Sequence, residues 1–178
     1  MASPFLQTLI LVLGVLSTLG CPEAAKETSP SIDTPAQQFT LTGVRIEERR
    51  SGKILWQGVG ATAQGDFERS AITDLELTRP PQNAGEVPVT IHSPSAELTL
   101  GEGTAHFADA IITDTTGRRL EAGHAHYSEK KSSIETTGPL TFTATGLEVT
   151  GTTSLVELSS GEVTINGPVI GLFTPATP

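Results

Sequence analysis

Four histidines, His92, His106, His124 and His126, are the side chains of this 178-residue chain best suited to chemistry. His124 and His126 stand two apart in a segment that alternates as a strand does, so both imidazoles share a face. With His106 and a carboxylate such as Asp109 they have the ligand types for a transition metal. A solvated strand face has the same spacing, and no HExxH, CxxC or phosphate-loop pattern accompanies the pair. Gly58-Val59-Gly60 and Gly101-Glu102-Gly103 precede no helical pattern that could hold a phosphate. No serine sits in a Gly-x-Ser-x-Gly elbow. Glu47, Glu48, Asp74 and Glu76 read as ordinary strand and loop charges. These residues argue against an enzyme, a metal centre or a bound cofactor.

The one cysteine, Cys21, rules out an intrachain disulfide and a multi-cysteine zinc site. It closes an apolar run that is unbroken from Leu9 to Leu16 apart from Gly14, with no charge before Glu23. That run has the length of a signal-peptide core and is short of the roughly 20 residues of a membrane span. The ending Ser17-Thr18-Leu19-Gly20-Cys21 resembles a bacterial lipoprotein cleavage site, with compact Gly20 at the scissile bond and the Cys21 thiol to carry the lipid. Two acyl chains on Cys21 would anchor stably where one gives only marginal binding. An uncleaved membrane anchor is the alternative, because Thr18 replaces the usual Leu and no Lys or Arg precedes the run. Residues 21–38 carry Pro22, Pro30 and Pro35 among Ser, Thr and Glu and read as a disordered tether, as does the tail after Phe173. The folding part is then residues 39–173.

Composition narrows the architecture. Hydrophobic residues are 37% and aromatics 4%, whereas the sequence holds 26 Thr and 18 Gly. The net charge of −9 argues against a nucleic-acid surface, which needs clustered Lys and Arg. Strict alternation recurs: Val89 and Ile91 with Thr90 and His92, Leu98 and Leu100 with Thr99, Leu140 and Phe142 with Thr141 and Thr143, Leu147 and Val149 with Glu148. Ser51-Gly52, Gly101–Gly103, Thr116-Gly117, Gly138-Pro139, Gly146, Gly151 and Ser160-Gly161 separate these runs and read as turns. Pro80 to Pro88 reads as an irregular stretch dividing a smaller N-terminal part from a larger C-terminal one. Gly60-Ala61, Gly103-Thr104, Gly123-His124 and Gly151-Thr152 recur faintly, as if opening successive strands. The expectation is an all-β antiparallel sandwich, jelly roll or barrel. Arg45, Arg49, Arg50 and Lys53 cluster on an early hairpin, which suits an anionic partner, whereas Ser132–Pro178 holds four Glu and no basic residue.

Several segments from Ala105 to Val169 resemble the periplasmic lipopolysaccharide-export proteins of the LptC type and the related LptA/OstA-like fold. They are Ile112-Thr113-Asp114-Thr115-Thr116-Gly117-Arg118-Arg119-Leu120-Glu121-Ala122, the stretch Ala125–Thr136, Gly138-Pro139-Leu140-Thr141-Phe142 and Gly146–Gly151. Upstream, Gly52-Lys53-Ile54-Leu55-Trp56-Gln57 is similar to the family's opening hairpin. The family usually carries a transmembrane anchor, where this chain has Cys21 for lipidation.

The resemblance implies a twisted, incompletely closed β-jelly roll that shelters the acyl chains of lipopolysaccharide. It implies edge-strand pairing with an LptA-like β-jelly-roll protein and contact with an inner-membrane ABC transporter. It also implies a periplasmic location, anchored to the inner membrane by preference and to the outer membrane otherwise. The inward-facing, lipid-binding candidates are Trp56, Phe67, Leu75, Leu77, Val89, Ile91, Leu98, Leu100, Phe107, Leu140, Phe142, Leu147 and Val149. A plain anchored β-sandwich that binds protein or polysaccharide on its Thr-rich surface is the competing expectation.

Overall fold

The structure, a computed structural model, describes residues 38–174 apart from Phe67. The proposed signal peptide, Cys21, the tether up to residue 37 and residues 175–178 lie outside the described residues. Ten strands follow one another: β1 (Phe39–Arg50), β2 (Lys53–Gly65), β3 (Arg69–Arg79), β4 (Val89–Thr99), β5 (Thr104–Asp114), β6 (Arg119–Ser128), β7 (Ser133–Ala144), β8 (Leu147–Glu157), β9 (Glu162–Asn166) and β10 (Ile170–Phe173). All pair antiparallel in one sheet of order β1-β2-β3-β4-β5-β6-β7-β8-β10, and β9 also pairs with β8. The chain is all-β, a single twisted sheet that rolls on itself without closing.

The alternating runs form strands because one face is buried and the other wet. Most punctuation falls where turn chemistry demands it. Gly117 takes a φ of 85° in the β5–β6 turn, where Asp114 Oδ1 accepts from the Thr116 N–H at 2.8 Å. Two expected turns lie instead within strands: Gly138-Pro139 is inside β7 and Gly151 is inside β8. Pro80–Pro88 does not divide the fold, since β3 and β4 pair from Arg69↔Thr99 to Arg79↔Val89.

The reason for the mid-strand glycines is a crease that crosses the sheet. Gly43, Asp74, Asp109 and Gly138, on the odd strands β1, β3, β5 and β7, have φ of 63°, 47°, 48° and 89°. Ala61, Pro94, Gly123 and Thr152 stand across from them on the even strands, and regular pairing is interrupted along this line. Strands β1–β6 and β8 spend one extra residue here, as at a β-bulge, so the buried set moves by three positions rather than two, and β7 spends two, Gly138 and Pro139, so that it moves by four from Thr136 to Leu140. Thus β5 buries Ala105 and Phe107, then Ala110 and Ile112, and β6 buries Leu120 and Ala122, then Ala125 and Tyr127. Without the extra residue a strand's second half would turn its apolar set to water. Asp tolerates the left-handed region better than bulky residues, and Pro94 sits where the ladder is already open. Buried Ser93 bridges the gap: its Oγ donates to the Ala108 carbonyl at 2.6 Å and accepts from the Ser95 N–H at 3.3 Å. Three of the four faintly repeated dipeptides, at Ala61, Gly123 and Thr152, therefore mark this crease and not strand starts.

The crease lets the inner face roll onto itself. The Trp56 ring of β2 stands edge-on to Tyr127 of β6, centroids 5.1 Å apart at 75°. Arg118 Nη1 donates to the Gly161 carbonyl at 2.7 Å, fastening the β5–β6 turn to the β8–β9 turn. Small residues let the layers approach. One inner row reads Ala63-Ile72-Ala96-Phe107-Ala125-Thr136-Ser154-Ile165 across eight strands, each member opposite the next. Thr136 and Ser154, both buried, share a 2.8 Å hydroxyl hydrogen bond. The core is thin because small alanine, serine and threonine side chains make much of it.

Candidate functional site

A second inner row is more strongly apolar. It runs Ile46-Gly58-Leu77-Ile91-Ile112-Leu120-Phe142-Val149, each residue paired with its neighbour from β1 to β8. Its centre is sealed: Ile91 is 0% exposed, and Leu75 beside it on β3 is also 0%. Its ends thin out, with Ile46 and Val149 half-buried. At the β1 end the roll leaves a cavity of about 260 Å³, lined by Ile46, Trp56, Leu77, Leu98, Phe107 and Tyr127. That is just under the range of about 300–1,000 Å³ for small-molecule sites. The opposite space, between Val89, Ile112, Leu120, Phe142, Val156 and Val163, is nearly filled at about 30 Å³.

The sequence candidates distribute accordingly. Trp56, Leu77, Leu98 and Phe107 meet at the cavity. Leu75, Ile91 and Leu140 are buried and contribute packing. Val89 and Phe142 line the filled space, and Phe142, Leu147 and Val149 are half-buried. Leu100 is a correction: it is 63% exposed and lies in the β4–β5 turn, not on an inward strand face. Gly101-Glu102-Gly103 begins to turn at once, and the Leu100 N–H donates to the Glu68 carbonyl at 3.0 Å, which places Leu100 at the cavity's edge. Phe67 and Cys21 lie outside the described residues. Ile46 and Tyr127 are cavity residues that the candidate set missed. The alternation Val44-Arg45-Ile46-Glu47-Glu48 carried the signal for the first. Nothing local identified Tyr127 as facing Trp56, because the two strands meet only through the roll.

Charges frame the cavity. Arg49 Nε pairs with Glu47 at 2.5 Å, and Arg50 pairs with Glu129 of the β6–β7 turn. The early basic cluster is thus partly neutralised by its own neighbours. Glu48 lies on the inward face of β1, directly opposite Trp56. Burial raises its carboxyl above the ordinary value, and nearby Glu129 pushes in the same direction.

The histidines lie on the outer face. His106 and His126 are cross-strand partners with ring centroids 4.4 Å apart. Burial, and then the neighbouring His106, lower the pKa of His126. Among the described residues no three His, Cys, Asp or Glu side chains are placed to hold a metal ion.

Among the described residues the sheet ends at β1 on one side and at β9 and β10 on the other. Among the described residues β1 pairs with β2 alone, and β9 and β10 pair with β8 alone. β10 shows water Ile170, Leu172 and Phe173, the last 82% exposed.

No protein-family model and no curated protein matches this chain. Among solved structures it is similar to LptH of Pseudomonas aeruginosa, described as the LptA-homologous periplasmic component of the lipopolysaccharide transport device. The two share 7% identity over 79% of this chain and 96% of that one, with a TM-score of 0.32.

Proposed function

We propose that this chain is an extracytoplasmic carrier, held to a membrane through Cys21, that shelters lipid acyl chains at the open end of its roll and meets neighbouring β-domains through its edge strands. The observation that carries the reading is the apolar cavity at the β1 end, walled by Ile46, Trp56, Leu77, Leu98, Phe107 and Tyr127. Each buried CH₂ of a chain contributes about 0.8 kcal/mol, so such a wall needs few polar contacts to hold a chain end. An unpaired edge offers main-chain donors and acceptors to a partner strand. The family resemblance of the sequence names lipopolysaccharide as the cargo, and an inner-membrane transporter and an LptA-like protein as the neighbours.

A photoreactive residue in place of Leu98 tests the reading in cells. The expected product is a covalent lipid adduct, with no adduct from the same residue at Thr62 on the outer face. Absence of any adduct from Leu98, together with protein that purifies free of lipid, would sink it.

A second reading, a binding module that uses its outer face, draws on a different observation. Thr42, Thr62, Thr73 and Ser95 form a hydroxyl row across β1–β4, with Thr62 and Thr73 bonded at 2.8 Å. It predicts retention on immobilised polysaccharide that Thr62→Val with Thr73→Val abolishes.

A further inference from the structure

We propose that His106 and His126 form an exchangeable site for one borderline divalent metal ion, Cu²⁺ foremost, on the outer face of the roll. The site is independent of the acyl-sheltering cavity, which lies on the inner face. β5 and β6 set the two imidazoles directly opposite each other, with ring centroids 4.4 Å apart and planes tilted by 35°. Two imidazoles bound to one ion at about 2.0–2.1 Å, their nitrogens at a right angle, bring the ring centroids to about 4.5 Å. The strand register therefore already holds the rings at the separation that chelation requires. His106 is exposed and His126 half-buried, and neither ring makes a hydrogen bond among the described residues.

The surroundings suit a cation. Glu97 of β4 stands directly opposite His106, and Glu135 of β7 directly opposite His126, so one outer row reads Glu97-His106-His126-Glu135. A carboxylate beyond each imidazole is the arrangement that orients metal-bound histidines and raises their basicity. Lys131 shares Glu135 at 2.8 Å, but both side chains of that pair are exposed, and such pairs are weak. Glu97 has no ion pair among the described residues.

Among the described residues no third histidine or carboxylate is placed to complete a closed site. Water then fills the remaining positions, which makes the ion exchangeable rather than structural. Imidazole donors suit Cu²⁺, Zn²⁺ and Ni²⁺ where Mg²⁺ and Ca²⁺ take oxygen, and Cu²⁺ binds most strongly at a given nitrogen site. Stacking of two neutral imidazoles also explains the ring contact. That explanation predicts no metal retention beyond what a lone surface histidine gives.

The test titrates Cu²⁺ into the full chain carrying Cys21→Ser, which removes the only thiol. The expected result is one bound ion, two equatorial nitrogens in its EPR spectrum, and no displacement by a large excess of Mg²⁺. His106→Gln and His126→Gln should each weaken binding at least about tenfold, because the chelate is lost. Glu97→Gln with Glu135→Gln should weaken it about tenfold. His92→Gln and His124→Gln should leave it unchanged, which separates this pair from the His124-x-His126 spacing. Copper that stays bound after His106→Gln, or that leaves on addition of Mg²⁺, overturns the proposal, as does an equal loss with His124→Gln. If a variant misfolds, paramagnetic broadening of imidazole NMR signals in the Cys21→Ser chain decides. Broadening confined to His106 and His126 supports the site, and equal broadening of all four histidines overturns it.

Discussion

Arg79 and Glu86 form a buried ion pair, Nη1 to Oε2 at 3.0 Å, with side chains 9% and 4% exposed. It closes the Pro80–Pro88 connection onto the end of β3. Arg79 Nη1 also reaches the Leu158 carbonyl at 3.5 Å, tying that connection to the far side of the roll. Burial alone would raise the Glu86 carboxyl. Hydrogen bonds from the Gln82 N–H, Asn83 and Arg79 more than offset this and hold it below the ordinary carboxylate value. The pair's stabilisation is therefore complete above the unfolded pKa of about 4.3 and is lost as pH falls through the lower folded value. Glu86→Gln should cost about 3 kcal/mol at neutral pH, because Arg79 stays buried and unpaired. It should also flatten the acid limb of the stability profile. Urea unfolding across pH checks both, and an unchanged acid limb would contradict the assignment.

The crease makes a sharper claim about backbone than about side chains. A Cβ added at Gly138 would meet nothing within 4 Å, yet its φ is +89°. Gly138→Ala should therefore lose about 1–2 kcal/mol through conformation alone. Gly60 has no such φ, but a Cβ there would come within 2.5 Å of Ile72 Cγ2. Gly60→Ala should be destabilising through the clash, and Ile72→Val should rescue part of it. Rescue of Gly138→Ala by any neighbour's truncation would falsify the backbone account.

The histidine pair predicts a mild loss of stability on acidification. His126 has a pKa below its ordinary value, from burial first and then His106, with Lys131 lowering and Glu135 raising it. The unfolded chain takes up its proton first as pH falls below about 6.5, so stability declines from there toward the depressed folded value. His106→Gln should raise the His126 pKa and shrink that decline. Imidazole NMR titration reads the first effect and melting temperature at pH 8 and 5.5 reads the second.

The β10 edge should separate folding from association. Leu172 is 63% and Phe173 82% exposed, so Leu172→Lys with Phe173→Lys should change stability by less than about 0.5 kcal/mol per site. If the edge pairs with other β-domains, the double variant should lose crosslinks from β10 and sediment as a monomer at concentrations where the unaltered chain associates. Unchanged crosslinking would remove β10 from the pairing surface.

The strands were legible because period-two alternation is a local property. Val89 and Ile91, Leu140 and Phe142, and Leu147 and Val149 announced their strands, and Thr116-Gly117 announced its turn. Gly138-Pro139 and Gly151 misled, because glycine also serves inside strands: Gly138 takes a φ of 89° at the crease, and a Cβ at Gly151 would come within 2.5 Å of Ile165 Cγ2. The candidate site was legible only in part. Trp56, Leu77, Leu98 and Phe107 were among the inward candidates, but so were Leu75 and Ile91, which sit in sealed core. Alternation tells which face a side chain takes and not what lies across the roll.

Composition and alternation by themselves determined an all-β antiparallel chain with a thin, Thr-faced core, since both follow from residue type and from neighbours one or two positions away. Only the tertiary structure decided where the interior is filled and where it stays open. That depends on a crease whose members, Gly43, Asp74, Asp109 and Gly138, lie far apart in the chain and align only once eight strands are in register. It also decided that Trp56 meets Tyr127 and that Glu48 faces inward beside them, contacts that exist because a sheet creased across β1–β8 rolls its apolar face onto itself.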